Sequence, residues 1–297
     1  MSKKRASEGS VMLAILLLCL ASSSSIKAQG DDESKAIKAE IFIKNRPATS
    51  KRTTARYKPK SSAPNADTPS PGTSFVEVGV TFWRFRRSAA TDKTKELVEE
   101  EDSGPTEWTL ERIEEGTPLA PGQRVRLSIE SLTRSGYLYV IDREQYADGS
   151  LGDPALIYPT QKSSDANYVK AGRLIYIPSA TGKFRIKPSE GAKVHVGELV
   201  TVVVSAQPLI KPDQLGAKAI KLPRQQVADW EKQWGAKAAR FELDGGAGQA
   251  MTEKEQAAGK AGSQELMQDD PAPQTVYRLA LKPDNPLIIS VPMKFRL

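Results

Sequence analysis

The sequence predicts a mainly β fold, an antiparallel sandwich or a partly open barrel, with one or two helices near the C-terminus. Two observations lead to this prediction. Short runs of β-branched and aromatic residues recur at a spacing of roughly ten residues and are separated by Gly and Pro. Within several runs, such as residues 124–129, apolar and polar residues alternate, which is typical of a strand with one buried face.

Residues 1–28 are predicted to be a secretory signal peptide. Basic residues at positions 3–5 precede an apolar run over 11–21, and cleavage is expected after Ala28. Lipid attachment at Cys19 is disfavoured because three leucines precede it. The apolar run is shorter than the roughly 20 residues that span a bilayer, so an uncleaved signal is the one expected membrane contact. We therefore expect an exported protein that is periplasmic or secreted.

Residues 29–74 are predicted to be a disordered basic segment rich in Pro, Ser and Thr, since they offer little apolar surface to bury. An apolar alternation at 39–43 either adds an edge strand or stays loose. Residues 44–60 carry seven basic side chains and no acidic one, whereas the chain as a whole has a net charge of +7. The rest of the chain lacks a clustered basic face with aromatic residues, so a nucleic-acid partner is not expected.

Residues 75–297 are predicted to form one β-rich domain. Its first strand shows apolar residues at 76, 78, 80 and 82. The centre is a unit of two strands, residues 136–141 and 155–158, joined by a connection rich in turn-forming residues and closed by Pro159. Further short strands are predicted at 108–113, 124–129, 173–177, 183–186 and 199–204.

Residues 211–297 are predicted to hold a helical insertion followed by a terminal hairpin. Val227, Trp230 and Trp234 share one helix face, which is expected to pack on the sheet. A capping-box pattern at Thr252 predicts a second helix that extends to about residue 267. Alternating apolar residues over 287–297 predict a strand, and Pro292 places it at an edge or bulge because proline cannot donate to the ladder.

Nucleophile and metal chemistry have little basis in this composition. After signal removal the chain has no cysteine, which excludes disulfides and thiolate metal sites. The single histidine, His195, alternates with Val194 and Val196, so it is predicted to face solvent on a strand. No Gly-x-Ser-x-Gly elbow is present to support a catalytic triad. No metal, cofactor or catalytic residue is therefore predicted.

The candidate ligand-binding residues lie in and around the central unit. Its tyrosines can form a stacking platform for sugars or a peptide, although buried strand tyrosines are the alternative interpretation. Its acidic residues do not match the spacing of a calcium loop and are typical of turns. A pair of carboxylates for glycoside hydrolysis remains an alternative, because the two groups must be close in the folded structure and need not be close in sequence. The candidates are Tyr137, Tyr139, Asp142, Tyr146, Asp148 and Tyr158.

Several strand-and-turn motifs follow one another between about residues 75 and 210. They include Gly79-Val80-Thr81-Phe82-Trp83-Arg84, Gly122 to Leu127, Gly136-Tyr137-Leu138-Tyr139-Val140, Leu156-Ile157-Tyr158-Pro159 and Ile177-Pro178. Their order resembles the bacterial domain-of-unknown-function family numbered 4384, although Thr160 stands where that family often has asparagine. The family has no agreed activity. Its frequent attachment to signalling kinases or caspase-like peptidases implies an accessory or sensing module.

The leading hypothesis is therefore an exported, non-enzymatic binding or accessory module whose partner is an envelope protein or cell-wall polysaccharide. One alternative is a carbohydrate-active hydrolase that uses an Asp/Glu pair. Another is a structural envelope protein that assembles through an exposed edge strand.

Overall fold

A computed structural model of the protein describes residues 36–61, 68–100, 104–170, 172–187, 193–259 and 265–296. They form two antiparallel sheets that are not closed into a barrel, which confirms the predicted β sandwich. The strands are β1 (Ile37–Lys38), β2 (Arg56–Ser61), β3 (Ser74–Arg87), β4 (Glu96–Glu100), β5 (Gly104–Ile113), β6 (Arg124–Ser131), β7 (Gly136–Tyr146), β8 (Ala155–Tyr158), β9 (Tyr168–Val169), β10 (Leu174–Ile177), β11 (Phe184–Arg185), β12 (His195–Ser205), β13 (Ile220–Lys221), β14 (Ala239–Leu243), β15 (Thr275–Leu281) and β16 (Leu287–Lys294). The α-helices are α1 (Arg224–Trp234) and α2 (Glu253–Ala258).

The larger sheet is organised around β3, which is 14 residues long. Along one edge β3 pairs with β15 through its first half and with β5 through its second half. Along the other edge it pairs with β6, which in turn pairs with β10 and β11. The order from one end is β1-β2-β14-β15-β3-β5-β4.

The smaller sheet has the order β13-β8-β7-β12-β16, and β9 also pairs with β7. Its longest ladder joins β7 to β12. Strand β16 ends the order, so the prediction that Pro292 lies on an edge strand is confirmed.

The predicted terminal hairpin is wrong. Strand β15 pairs with β3 and β14 in the larger sheet, whereas β16 pairs with β12 in the smaller one. Residues 282–286 therefore cross from one sheet to the other. The sequence pattern of two consecutive apolar strands fits both a hairpin and two strands in different sheets. Here each strand pairs with strands that are distant in sequence.

The main core lies between the sheets. Val78, Val80 and Ile129 of the larger sheet belong to the same buried cluster as Val140 and Val202 of the smaller one. On the outer face of the smaller sheet, Tyr139 and Ile141 are covered by α1 through buried Val227 and partly buried Trp230 and Trp234. The predicted packing of this helix is thereby confirmed.

Helix α2 is shorter than predicted. The Thr252 side chain accepts a hydrogen bond from the Glu255 amide, as the capping box predicts, but the helix ends at Ala258. A Cβ at Gly259 would lie 1.6 Å from Tyr176 Cε2, so the tyrosine ring occupies the space beside this glycine. Residues 265–267 are not helical, and residues 260–264 lie outside the described chain.

The prediction of disorder for residues 29–74 is wrong for residues 36–61. Strand β2 pairs with β14, and Phe42, Ile43 and Tyr57 are fully buried. The composition led to a wrong prediction of disorder because these few apolar residues are ordered by contacts with strands that are distant in sequence. The β domain therefore includes residues 36–61 as well as the predicted 75–297. The predicted signal peptide and its cleavage site lie outside the described residues. In the part of the chain that is described, no helix is long and apolar enough to cross a membrane.

Candidate binding cavity between the sheets

A cavity of about 610 Å³ opens between the two sheets at one end of the sandwich core. Its walls are mostly apolar and come from both sheets. They include Phe82, Val125, Leu127, Ile157, Phe184 and Met293. Its acidic and aromatic polar side chains come from β7 and β12, namely Asp142, Glu144, Tyr146, His195 and Glu198. Its lining also includes the basic residues Arg126, Arg185, Lys187 and Lys193.

The acidic end of the cavity follows from strand periodicity. Side chains two residues apart share a face, so Asp142 and Glu144 continue the inward row begun by buried Leu138 and Val140. On β12 the inward valines at 204, 202 and 200 lead in the same way to Glu198. The register pairs Val200 with Asp142 and Glu198 with Glu144. Directly opposite residues have Cβ atoms about 5 Å apart, so three carboxyl groups gather at one point.

Two of these carboxyl groups, those of Asp142 and Glu198, ionise differently from exposed ones. Burial, followed by the negative charges of Asp142 and Glu144, raises the pKa of Glu198 to about 9. Burial also raises the pKa of Asp142 to about 6, although a hydrogen bond from the Arg143 backbone N–H opposes the change. At neutral pH Glu198 therefore holds a proton and Asp142 is mostly ionised. One cavity contains a carboxylic acid beside a carboxylate.

Three buried polar atoms of the cavity have no hydrogen-bond partner in the described chain. They are Asp142 Oδ1, Glu198 Oε2 and His195 Nε2. His195 Nε2 lies 3.2 Å from Glu198 Oε1, but the two atoms are not aligned for a hydrogen bond. Buried polar groups without partners are rare in native proteins and cost free energy. The cavity wall therefore offers three polar atoms for hydrogen bonds to water or to another molecule.

The prediction that His195 faces solvent is wrong. Its side chain is 9% exposed and packs edge-on against Phe295, with ring centroids 4.9 Å apart, whereas neighbouring Val194 is 56% exposed. The register with β7 shifts between His195 and Gly197, so simple alternation fails at this point.

The structure brings two of the six predicted site residues to the cavity. Asp142 lies inside it, and Tyr146 lines it and donates a hydrogen bond to Glu144 Oε2. Asp148 lies in the adjoining exposed turn, where hydrogen bonds from Ser150 and the ammonium group of Lys193 lower its pKa.

The other three predicted site residues lie elsewhere. Tyr158 belongs to the core between the sheets, where burial raises its pKa to about 12. Tyr139 faces outward beneath α1, and its hydroxyl accepts a hydrogen bond of 2.9 Å from the Leu209 amide. Tyr137 is also on the outer face and packs against Tyr168. The tyrosines therefore lie on both faces of the sheet and do not form one platform.

Sequence reasoning passed over Glu198 as a site residue. The signal was present, since counting back by two from Val204, Val202 and Val200 reaches a glutamate on the buried face. A buried-face acid in a run of valines indicates either a paired charge or a site.

Comparisons with known proteins do not extend this description. No family model matches the chain, and no curated protein or solved structure matches it. The resemblance to the family numbered 4384 stays a prediction.

Proposed function

We propose that this protein is an exported, non-enzymatic binding module and that its inter-sheet cavity holds a small ligand with an apolar body and one polar end. The observation that carries the proposal is the cavity itself, about 610 Å³ in volume, with apolar walls and a cluster of unpartnered polar atoms at one end. Small-molecule sites commonly measure roughly 300–1,000 Å³ and combine apolar walls with a few convergent polar groups.

The ligand is expected to come from the cell envelope, since the N-terminal sequence has the form of a secretory signal. A small molecule is favoured over wall polysaccharide or a protein partner because the tyrosines do not form a shared surface. An apolar body gains about 0.8 kcal/mol for each methylene that it buries, and the polar end supplies the missing hydrogen bonds.

A second candidate is hydrolysis of a glycosidic bond. The specific observation in its favour is the combination of a protonated Glu198 and an ionised Asp142 in one cavity, which is the pairing that acid–base catalysis uses. The apolar walls count against it, because a sugar carries many hydroxyl groups that need polar partners.

Fluorescence titration with the neutral dye N-phenyl-1-naphthylamine tests the binding proposal. We expect saturable binding with one site per chain. Ile157 is partly buried and lines the cavity, so Ile157→Trp should fill the cavity and weaken binding at least ~10-fold, or ~1.4 kcal/mol. The matched control is Ile41→Trp at a side chain that is 48% exposed, and it should bind as the wild type does. Absence of saturable binding, or equal binding by a folded Ile157→Trp variant, would contradict the proposal.

The hydrolase alternative makes a different prediction. Incubation with wall glycan fragments would yield shorter products, and both Asp142→Asn and Glu198→Gln would abolish their formation while dye binding persists. If the wild type forms no such products, the binding module is retained and the hydrolase is rejected.

A further inference from the structure

Buried carboxylates in this fold are usually neutralised by arginine. Among the described residues, six largely buried glutamates each form an ion pair with an arginine guanidinium. The pairs are Glu77–Arg278 (2.7 Å), Glu96–Arg126 (2.8 Å), Glu111–Arg84, Glu115–Arg240 (2.6 Å), Glu130–Arg46 (2.6 Å) and Glu255–Arg112. Removing one partner of such a pair leaves an uncompensated buried charge, which explains why the arrangement recurs.

Where arginine does not neutralise a buried acid, hydrogen bonds from neutral groups satisfy it. Burial raises the pKa of Glu242 to about 7, and its two carboxyl oxygens accept hydrogen bonds from Gln274 Nε2 (3.2 Å) and Thr275 Oγ1 (3.0 Å). The fold therefore has two ways of accommodating a buried carboxyl group.

The acids of the cavity follow neither pattern. In the described part of the chain, neither Asp142 nor Glu198 forms an ion pair with lysine or arginine, and each keeps one buried oxygen without a hydrogen bond. Lys193, which also lines the cavity, is held by Asp148 (3.0 Å) and Ser150 (2.7 Å). The facing wall presents mainly apolar side chains from β6, β8 and β16. Of the basic residues in the rest of the lining, Arg126 pairs with Glu96 at 2.8 Å, and Arg185 and Lys187 are exposed.

We propose that the ligand supplies the missing cation, as a protonated primary amine on an apolar body that lies between the sheets. This inference rests on the proposed function of the cavity. A primary ammonium group has three N–H donors. The cavity offers three unpartnered atoms, Asp142 Oδ1, Glu198 Oε2 and His195 Nε2, the last of them an acceptor when the ring hydrogen is on Nδ1.

Other polar ends fit less well. A carboxylate would add negative charge beside Asp142 and Glu144, and a hydroxyl group carries no positive charge and donates one hydrogen bond, against three from an ammonium group. Binding of the amine should also change the protonation of Glu198. Glu198 holds its proton at neutral pH in the empty cavity, and a cation beside it favours its ionised form, so binding should release that proton to solvent.

The test uses three competitors with the same tail, n-octylammonium, 1-octanol and octanoate, which displace N-phenyl-1-naphthylamine from the full chain at pH 7.5. We expect n-octylammonium to bind at least ~10-fold more tightly than 1-octanol, and octanoate to bind most weakly. Calorimetry of n-octylammonium binding in two buffers of different ionisation enthalpy should show release of up to one proton.

Substitutions test whether the preference for n-octylammonium over 1-octanol arises in the cavity. Asp142→Asn and Glu198→Gln keep the side-chain shape and should reduce the ratio of n-octylammonium to 1-octanol affinity at least ~10-fold. Asp213→Asn, an isosteric change at an exposed acid, should leave the preference intact. Equal binding of the amine and the alcohol, or tightest binding of octanoate, would overturn the amine inference and leave the cavity as a binding site. Failure of the dye and of all three competitors to bind would overturn the proposed function itself.

Discussion

Glu198 and Glu130 are the same residue type on inward or buried positions of neighbouring layers, and their surroundings give them different chemistry. Glu130 is 1% exposed and accepts two hydrogen bonds from the Arg46 guanidinium, at 2.8 and 2.6 Å. Glu198 has no such cation, and burial, followed by the negative charges of Asp142 and Glu144, raises its pKa to about 9, so it keeps a proton at neutral pH. A guanidinium group compensates the buried carboxyl group of Glu130, whereas that of Glu198 has no such partner in the described chain.

The raised pKa of Glu198 predicts how stability depends on pH. Between pH 4.5, its ordinary pKa, and about 9, the folded protein keeps a proton that the unfolded chain releases, so the free energy of unfolding falls as pH rises. Asp142 and Glu242 act in the same direction, but only up to about pH 6 and 7. The interval from pH 7 to 9 therefore reports mainly on Glu198, and comparison with a Glu198 variant cancels the contributions of other groups, among them Glu77, whose pKa burial also raises.

Thermal unfolding of Glu198→Gln measures this contribution. Between pH 7 and 9 the wild type should lose roughly 2 kcal/mol relative to the variant, which is on the order of 5 °C in Tm for a domain of this size. Glu107→Gln, at an exposed carboxylate, should follow the wild-type curve. Parallel curves for wild type and Glu198→Gln would show that Glu198 is ionised throughout.

At the scale of elements, residues 36–61 stabilise the larger sheet by connecting several of its segments. Strand β2 extends the sheet beside β14, while Arg46 reaches Glu130 on β6. The same guanidinium also donates to the carbonyl oxygens of Met267, Asp270 and Pro271, each at 3.2 Å. One buried side chain therefore joins segments that are more than 80 residues apart in sequence.

Replacement of Arg46 tests this stabilising role. Arg46→Met should destabilise the fold by about 3–5 kcal/mol, because Glu130 is left as an uncompensated buried charge. Lys58→Met breaks the ion pair of Lys58 with Asp244, whose side chains are 48% and 51% exposed, and should cost less than about 1 kcal/mol. Urea denaturation measures both variants. Equal small effects would mean that residues 36–61 contribute little to the fold.

For the whole molecule, periodicity predicts the elements and leaves their partners open. Alternating residues in β3, β6 and β16 identify strands and hence a sandwich. The expectation of a single buried face is wrong for β6, because its polar face, with Arg126, Ser128 and Glu130, is buried as well. Which sheet β15 joins depends on β3, which lies about 200 residues away in sequence, and no local pattern specifies such a pairing. The ordered structure of residues 36–61 could not be predicted for the same reason, since Tyr57 and Arg46 form hydrogen bonds with segments that are distant in sequence.

The candidate site could be predicted only in part. Asp142 and Tyr146 were identified because they lie in the central unit, but the cavity exists only where β7, β12 and the opposite sheet meet. Glu198 and His195 become site residues through the register of β12 against β7, including the shift at Gly197. Spatial convergence of this kind is a property of the assembled sheets.

The central claim is that a ligand enters the cavity between the sheets, and methyl NMR of methionine-labelled protein tests it most directly. Met293 lines the cavity, whereas Met251 is buried on the outer face of the larger sheet beneath Tyr176. A Met293→Leu variant assigns the first signal. Addition of N-phenyl-1-naphthylamine should shift the Met293 methyl signal and leave that of Met251 unchanged. A Met293 signal that stays in place at saturating dye would contradict the account.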